Sequence, residues 1–178
     1  MVLLNYAEIK TYDVANGPGI RVSLFVSGCS HKCPGCFNEQ AQDFNFGKEF
    51  TQDTIDYIID TLSFGAYAGV TLLGGEPLEH INQKGLLPLV RKIKEVYPDK
   101  TIWCFTGYEF EKDVMAHMYK EWPETKELLS YIDVLVDGPF IESLKNLNLV
   151  FRGSENQRLI KVPETLTTGK IVLWEKKL

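Results

Sequence analysis

The chain has 178 residues, of which 44% are hydrophobic and 24% charged, and its formal net charge is −5. This length is typical of one domain, and this composition is typical of a folded protein rather than a disordered one. The acidic balance argues against a nucleic-acid partner, because phosphate binding needs clustered Lys and Arg. The N-terminus lacks the basic segment of a signal peptide, and no apolar run approaches the roughly 20 residues that span a bilayer. We therefore predict a cytoplasmic protein without a membrane partner.

Apolar periodicity predicts strands that alternate with helices along the chain. The predicted strands span residues 20–26, 70–73, 101–105 and 133–136. The predicted helices span residues 51–62 and 85–97, and a polar, weakly periodic helical region follows over residues 110–131. The tail, residues 159–178, is predicted as a hairpin that turns at Thr168-Gly169 and covers a sheet edge, or as an extended arm that docks a partner.

This alternation is typical of βαβ units with a parallel sheet. A closed eight-stranded β/α barrel takes about 250 residues, which is more than this chain provides. We therefore predict an α/β fold with a partial, incomplete β/α barrel that is open on one side, in a single domain over residues 1–178. The open side leaves room for a large substrate.

A short segment rich in glycine or polar residues follows each predicted strand. These segments are residues 29–36, 74–77, 106–108 and 137–139. Ligands bind at the carboxyl ends of the strands in parallel sheets. We therefore expect the four segments to meet on one rim.

Three cysteines, Cys29, Cys33 and Cys36, lie within eight residues after the first predicted strand. Thiolate ligands select zinc, copper(I) or iron-sulfur clusters. A structural zinc site needs a fourth ligand, for which His31 and Cys104 are the candidates. His31 lies between two of the thiols, a position from which its side chain does not readily reach back to the same ion. Cys104 lies within an apolar strand, where a free cysteine is typically packed in the core. The spacing alone leaves zinc and an iron-sulfur cluster as alternatives.

Two motifs together resemble the radical S-adenosylmethionine superfamily: Cys29-x3-Cys33-x2-Cys36 after the first strand and Gly74-Gly75-Glu76-Pro77 after the second. Within it, further blocks resemble the family of activating proteins of anaerobic ribonucleoside-triphosphate reductase. These blocks are Asn-Gly-Pro-Gly-Ile-Arg at 16–21, Cys-Pro-Gly-Cys-Phe-Asn at 33–38, Trp-x2-Thr-Gly-Tyr at 103–108, Asp-Val-Leu-Val-Asp-Gly at 133–138 and Arg-Gly-Ser-Glu-Asn-Gln-Arg at 152–158.

The resemblance implies that Cys29, Cys33 and Cys36 ligate three irons of one 4Fe-4S cluster and that S-adenosylmethionine chelates the fourth iron. One electron, from an external one-electron donor, then cleaves the cofactor into methionine and a 5′-deoxyadenosyl radical. That radical abstracts hydrogen from a glycine of the catalytic chain of the reductase and leaves a glycyl radical. The implied enzyme is thus an oxidoreductase whose substrate is a protein.

The resemblance also implies a set of cofactor contacts: Gly35, Phe37, Asn38, Gly74, Gly75, Glu76, Pro77, Thr106 and Asp137. The backbone carbonyls of Gly74 and Gly75 and the carboxylate of Glu76 suit a methionyl ammonium group. Thr106 and Asp137 either bind the cofactor or satisfy a turn. Gly35 stands where many superfamily members have an aromatic residue, so Phe37 is the candidate for the contact with adenine.

Two further segments have alternative interpretations. Arg21 is predicted to pair with the cofactor carboxylate or with a buried acid. The resemblance implies that the segment 152–158 lines either the cofactor pocket or the partner surface.

Three alternative functions remain beside the main prediction. The chain can be the activator of another glycyl-radical enzyme, such as pyruvate formate-lyase, whose activator shares the Gly-Pro-Gly-Ile-Arg feature. It can also be a zinc-binding adaptor without catalysis. A nucleic-acid-binding zinc ribbon is disfavoured by the missing second cysteine pair and the acidic charge.

Overall fold

A computed structural model describes residues 4–176 of the chain. The fold is mixed α/β and is built on one seven-stranded sheet in the order β3-β1-β2-β4-β5-β6-β7. The strands are β1 Asn5–Asp13, β2 Ile20–Val26, β3 Lys48–Glu49, β4 Tyr67–Gly74, β5 Thr101–Phe105, β6 Val134–Asp137 and β7 Arg158–Lys161. The central strands β2, β4, β5 and β6 are parallel, and β1, β3 and β7 pair antiparallel with their neighbours. Among residues 4–176, β3 and β7 end the sheet, which is not closed.

The four predicted strands are confirmed as the parallel centre of the sheet. The antiparallel strands β1 and β3 were missed, whereas β7 lies in the first arm of the predicted tail hairpin. β1 carries Glu8, Lys10 and Tyr12 on an exposed face. An outer strand with charged residues on one face lacks the continuous apolar run that marks a buried strand, so it gives a weak signal. β3 has only two residues, too few for any periodicity.

Five α-helices and one π-helix accompany the sheet in the described part of the chain. They are α1 Gln52–Leu62, α2 His80–Val96, the π-helix Phe110–Met118, α3 Tyr119–Glu121, α4 Pro123–Tyr131 and α5 Val162–Thr168. α1 begins as predicted after Thr51, which forms a capping box with Thr54. This arrangement satisfies backbone donors that the first helical turn leaves without partners. The weakly periodic region 110–131 is not one helix, because Trp122 has extended backbone between α3 and α4.

The second predicted helix exists but has different bounds, since α2 begins at His80 rather than at residue 85. Leu86, Leu89 and other predicted core positions are buried, whereas Val96, which was predicted to face inward, is 41% exposed. Pro88 lies within α2 and faces solvent. An exposed face lets water reach the carbonyl that the missing N–H of a proline leaves without a partner.

The tail differs from the predicted hairpin because a helix stands between its two pairing segments. β7 leads into α5, which ends at Gly169 in the left-handed conformation with φ of 70°. The chain then returns antiparallel to β7, with Leu173 opposite Ile160. The last two residues of the predicted hairpin, 177 and 178, lie outside the described residues.

The two faces of the sheet have different neighbours. Val22, Leu72 and Ile102 point into the main core, where they join apolar side chains of the helices. Trp103 and Val136 point to the other face, where aromatic residues such as Phe151 pack on them. In residues 4–176 we find no helix that is long and apolar enough to cross a membrane.

Candidate active site

A cavity of about 420 Å³ opens at the carboxyl ends of the parallel strands. The predicted meeting of the four strand-end segments is confirmed, since each contributes residues to the lining of this cavity. They include Cys29, Cys33, Cys36, Gly75, Thr106 and Gly138. Parallel βαβ topology explains the convergence, because it brings every strand-to-helix connection to the same edge.

The cysteine loop is anchored at its base by backbone hydrogen bonds to residues 41 and 42. The N–H of Gly28 donates to the carbonyl of Ala41 at 2.7 Å, and the N–H of Cys29 donates to the carbonyl of Gln42 at 3.1 Å. Cys29, Cys33 and Cys36 are free thiols of intermediate exposure. The base of the loop is therefore fixed, while its sulfur atoms stay accessible from the cavity.

Burial raises the pKa of Cys29 to about 11, with a further contribution from the nearby carboxylate of Glu76. Burial also raises the pKa of Cys33. A neutral thiol at this site must lose its proton to bind a metal, and the charge of a bound metal drives that loss. Within residues 4–176, no three His, Cys, Asp or Glu side chains converge as ligands of one ion do. A four-iron cluster does not require the three thiolates to converge on one ion, because each thiolate binds a different iron.

Gly74 and Gly75 allow the end of β4 to approach the cysteine loop closely. A Cβ on Gly75 would lie 2.6 Å from the carbonyl oxygen of Gly28, which is an impossible contact. Gly74 has φ of 104°, a conformation that side chains rarely adopt. The N–H of Gly75 donates to the carbonyl of Val26 at 2.7 Å. These glycines therefore pack two strand ends together, a role that the sequence did not indicate.

Glu76 lies at the centre of the rim, with 1% of its surface exposed. Its Oε1 accepts hydrogen bonds from the N–H of Leu78 and the hydroxyl of Thr106, both at 2.8 Å. Its Oε2 lies 2.6 Å from His31 Nε2 and accepts from the N–H of Gly107 at 2.8 Å. The carboxylate thus joins three of the four strand-end segments through four protein groups. A contact between Glu76 and a methionyl ammonium stays a prediction.

His31 belongs to this network, whereas the sequence favoured a solvated loop residue and left metal ligation or proton handling as alternatives. Its ring packs edge-on against Tyr108, with 4.3 Å between the ring centroids. The hydrogen bond to Glu76 raises the pKa of His31. The other candidate, Cys104, is fully buried in the core, as the apolar strand around it predicted.

The predicted cofactor contacts divide into two groups. Besides the cysteines, the cavity is lined by Phe37, Asn38, Gly74, Gly75, Glu76 and Thr106. Gly35, Pro77 and Asp137 are not among the lining residues. Asp137 instead accepts hydrogen bonds from Arg158 Nε at 3.0 Å and from the N–H of Phe110 at 2.8 Å.

Gly35 supports the tight turn of the cysteine loop rather than the cavity wall. Its φ is 73°, and a Cβ there would lie 3.1 Å from Glu142 Oε2. An aromatic residue at this position would be strained. Phe37, two residues later, lines the cavity, and its contact with adenine stays a prediction.

Arg21 matches neither predicted alternative. It is fully buried on β2 and donates to the carbonyls of Val70 and Thr101, both at 2.8 Å. It also donates to the hydroxyl of Thr71 at 2.8 Å. Arg21 therefore ties together the β4 and β5 backbones, and it is not among the residues that line the cavity.

One residue that contributes to the site was not singled out from the sequence, and a second lies in a segment that was. Asn82, in the first turn of α2, donates through Nδ2 to the carbonyls of Ser27, Gly28 and Glu76 at 2.9 to 3.2 Å. It thereby holds the base of the cysteine loop against the end of β4. Arg152 lines the cavity, which agrees with one of the two alternatives for segment 152–158. A single sequence gives no signal that distinguishes Asn82 from a surface polar residue, whereas Arg152 belongs to the block 152–158 that carries the family resemblance.

Comparison with known proteins gives the class of this site and then its family. Residues 15–160 match the family described as a 4Fe-4S single cluster domain. Anaerobic ribonucleoside-triphosphate reductase-activating proteins are similar over most of the chain. The protein of Escherichia coli K12 is 40% identical over 156 residues, which are 86% of this chain and 96% of that protein. The protein of phage T4 is 41% identical over 156 residues, which are 88% of this chain and 93% of that protein. The protein of Vibrio cholerae is 41% identical over 157 residues, which are 86% and 96% of the two chains.

The chain thus belongs to the iron-sulfur proteins with a single 4Fe-4S cluster. Within that class it is a member of the family of anaerobic ribonucleoside-triphosphate reductase-activating proteins.

Proposed function

We propose that this protein activates an anaerobic ribonucleoside-triphosphate reductase by generating a glycyl radical on its catalytic chain, in the cytoplasm. The observation that carries this proposal is the cavity, in which three free thiols lie beside the carboxyl ends of the parallel strands. The family supports the same function, because its members are named for this activity.

The donor set fits a cluster with one open iron. Three cysteines on one short loop provide three thiolates, and both other candidate ligands are engaged elsewhere. His31 is bonded to Glu76, and Cys104 is buried in the core. Cys29, Cys33 and Cys36 would hold three irons. When bound, the cluster supplies the electron that cleaves S-adenosylmethionine to methionine and a 5′-deoxyadenosyl radical, which takes a hydrogen atom from the glycine of the partner.

The remaining cavity walls suit the parts of S-adenosylmethionine. Phe37 offers an aromatic face at the rim for adenine, and the backbone of Gly74 and Gly75 offers carbonyl acceptors for the ammonium group. Thr106 donates its hydroxyl to Glu76 and so holds the rim in place. These residues bind and orient the cofactor rather than react with it.

Arg152 has a specific role in this proposal. Among the described residues that line the cavity, it is the only Lys or Arg. One of its guanidinium nitrogens, Nη1, donates to the carbonyl of Gln157 at 2.5 Å. An arginine in a partly desolvated cavity binds a carboxylate strongly. We infer that Arg152 pairs with the carboxylate of the methionyl group.

The shape of the sheet supports a protein substrate. We propose that the open seven-stranded sheet is a partial β/α barrel whose missing wall admits the glycine-bearing segment of the reductase. The chain is then one catalytic domain, and its electron comes from an external donor.

Anaerobic reconstitution with iron and sulfide tests this proposal. The protein is mixed with reductant, S-adenosylmethionine and purified reductase catalytic chain, and the glycyl radical is measured by electron paramagnetic resonance. The pyruvate formate-lyase chain is the matched control partner. We expect 5′-deoxyadenosine and a glycyl radical on the reductase. Zinc uptake without cofactor cleavage, or a radical on the control partner alone, would overturn the proposal.

A further inference from the structure

A hairpin-like loop borders the cavity and is here called the flap, residues 140–155. Lys145 lies opposite Ser154 in an antiparallel bridge. The N–H of Asn146 donates to the carbonyl of Gly153 at 3.2 Å, and the N–H of Glu155 donates to the carbonyl of Leu144 at 2.9 Å. These hydrogen bonds join the two arms of the flap and so fix the position of its tip.

Large apolar side chains are exposed on the flap and beside it. They are Ile141 at 36%, Leu144 at 36%, Leu147 at 88%, Val150 at 42% and, from the cysteine loop, Phe37 at 72%. Single exposed apolar residues are normal, but a group in one segment marks an interaction site. Phe37 connects the two segments, because its ring lies 5.2 Å from that of Phe140.

This apolar surface continues into the cavity. Phe37, Phe140 and Leu149 belong to the cavity lining, while Leu147 and Val150 of the same loop face solvent. Any chain that covers the exposed residues therefore lies next to the cavity mouth.

The charge of the flap restricts the partner further. The flap has two acidic residues at its base, Glu142 and Glu155, and two basic residues between them, Lys145 and Arg152. Its outer part, residues 143–154, is therefore basic, whereas the whole chain has a formal net charge of −5. Lys145 Nζ lies 5.5 Å from the centre of the Phe37 ring, beside the apolar group. This local charge favours a partner segment that is apolar with neutral or acidic flanks.

We propose that the flap and Phe37 form the docking surface for the glycine-bearing segment of the reductase catalytic chain. The inference rests on the proposed function and names the surface that the protein substrate uses. Hydrogen abstraction needs the reacting atoms about 3–3.5 Å apart, so the glycine must enter the cavity mouth. The chain on either side of that glycine then covers the residues that border the mouth, which are the exposed apolar side chains of the flap.

The test compares Leu147→Asp with a matched control, Phe64→Ser. Leu147 lies at the flap tip outside the cavity lining, and Phe64, 69% exposed, precedes β4 at the opposite end of the sheet. Binding of the purified reductase catalytic chain to each reconstituted variant is measured anaerobically. We expect Leu147→Asp to weaken this binding at least about tenfold, because a central apolar contact is replaced by a charge. Phe64→Ser should bind like the wild type.

Two further measurements make the result specific. Reductant-driven cleavage of S-adenosylmethionine without the partner should be the same in the wild type and both variants. Sedimentation should show no change in self-association. The docking inference is overturned if Leu147→Asp binds the reductase as tightly as the wild type does. It is also overturned if Leu147→Asp loses cofactor cleavage to the same extent as it loses reductase binding, or if its oligomeric state changes. A wild type that cleaves the cofactor but activates no reductase would instead refute the proposed function.

Discussion

Two buried charges, Glu76 and Arg21, lie at opposite ends of the central strands. Both are at most 1% exposed, and from the sequence both were candidate cofactor contacts. Glu76 follows β4 at its carboxyl end and joins the cysteine loop to the other strand ends. Arg21, near the start of β2, bonds the first residue of β5 and residues 70 and 71 of β4. Position along the sheet therefore decides whether a buried charge organises the site or only the scaffold.

The two charges also differ in how they are compensated. Glu76 has His31 as a direct partner, whereas Arg21 is held by carbonyl and hydroxyl oxygens. Burial lowers the pKa of Arg21 to about 10, which still leaves it protonated at neutral pH. A buried charge without a direct counter-ion depends on every one of its hydrogen bonds.

The largest expected effect is on stability, from Arg21→Met. The change leaves the carbonyls of Val70 and Thr101 without their donor, and we expect it to lower the free energy of unfolding by about 3–5 kcal/mol. Urea unfolding of the protein measures this loss. The folded fraction should bind iron and S-adenosylmethionine like the wild type. Weaker cofactor binding at unchanged stability would instead show that Arg21 belongs to the site and not to the scaffold.

The next effect is that of Glu76→Gln, which keeps the shape of the side chain but not its charge. The amide nitrogen of glutamine cannot accept a hydrogen bond, so at least one of the four groups that donate to Glu76 loses its acceptor. We therefore expect a loss of about 1–3 kcal/mol in the free energy of unfolding. The cofactor should also bind more weakly, because the rim is no longer held in place. Glu79→Gln is the matched control, since Glu79 accepts from Ser30 of the same loop. Equal effects of the two changes would show that the position of Glu76 at the rim is unimportant.

A smaller effect is expected from Arg152→Gln, which removes the cation from the cavity. S-adenosylmethionine should bind about tenfold more weakly, or about 1.4 kcal/mol. 5′-Methylthioadenosine, which lacks the carboxylate, should bind equally to the variant and the wild type. Equilibrium dialysis of both ligands measures the difference. If both ligands lose affinity alike, Arg152 acts on the shape of the segment rather than on the carboxylate.

The smallest effect concerns pH and Asp13, at the scaffold end of the comparison. Burial alone would raise the pKa of Asp13, but hydrogen bonds from Ser23, Asn16 and the N–H of Ala15 lower it below its usual value. A lowered pKa stabilises the fold above the unfolded value of about 3.9, and this stabilisation is lost as the pH falls below it. Asp13→Asn should remove that part of the acid sensitivity in urea unfolding. An unchanged acid profile would contradict the assignment.

The sequence predicted the centre of the fold and the composition of the rim. Buried parallel strands are continuous apolar runs, and the connections that follow them meet at one edge, so residues 29–36 and 74–77 were placed together correctly. β1 was missed because its charged face hides the pattern of a strand. The helix α5, between β7 and Leu173, was missed because a glycine such as Gly169 is typical both of a tight turn and of the end of a helix.

The contacts within the site were less predictable than its location. The hydrogen bond between Glu76 and His31 joins residues that are 45 positions apart in the chain. The hydrogen bond from Asn82 to Gly28, at the base of the cysteine loop, joins residues that are 54 positions apart. Such pairs depend on the tertiary packing of loops, for which one sequence has no periodic signal. Asp137 was expected either to contact the cofactor or to satisfy a turn. Its carboxylate binds Arg158, and the cofactor contact stays a prediction.

In the proposed function, S-adenosylmethionine binds directly to a cluster held by Cys29, Cys33 and Cys36. Electron paramagnetic resonance of the reduced, reconstituted protein, recorded before and after the cofactor is added, tests for this direct binding. We predict that the cofactor changes the spectrum of the cluster, because it occupies the one iron without a cysteine. A spectrum that stays the same while dialysis shows the cofactor bound would contradict the account.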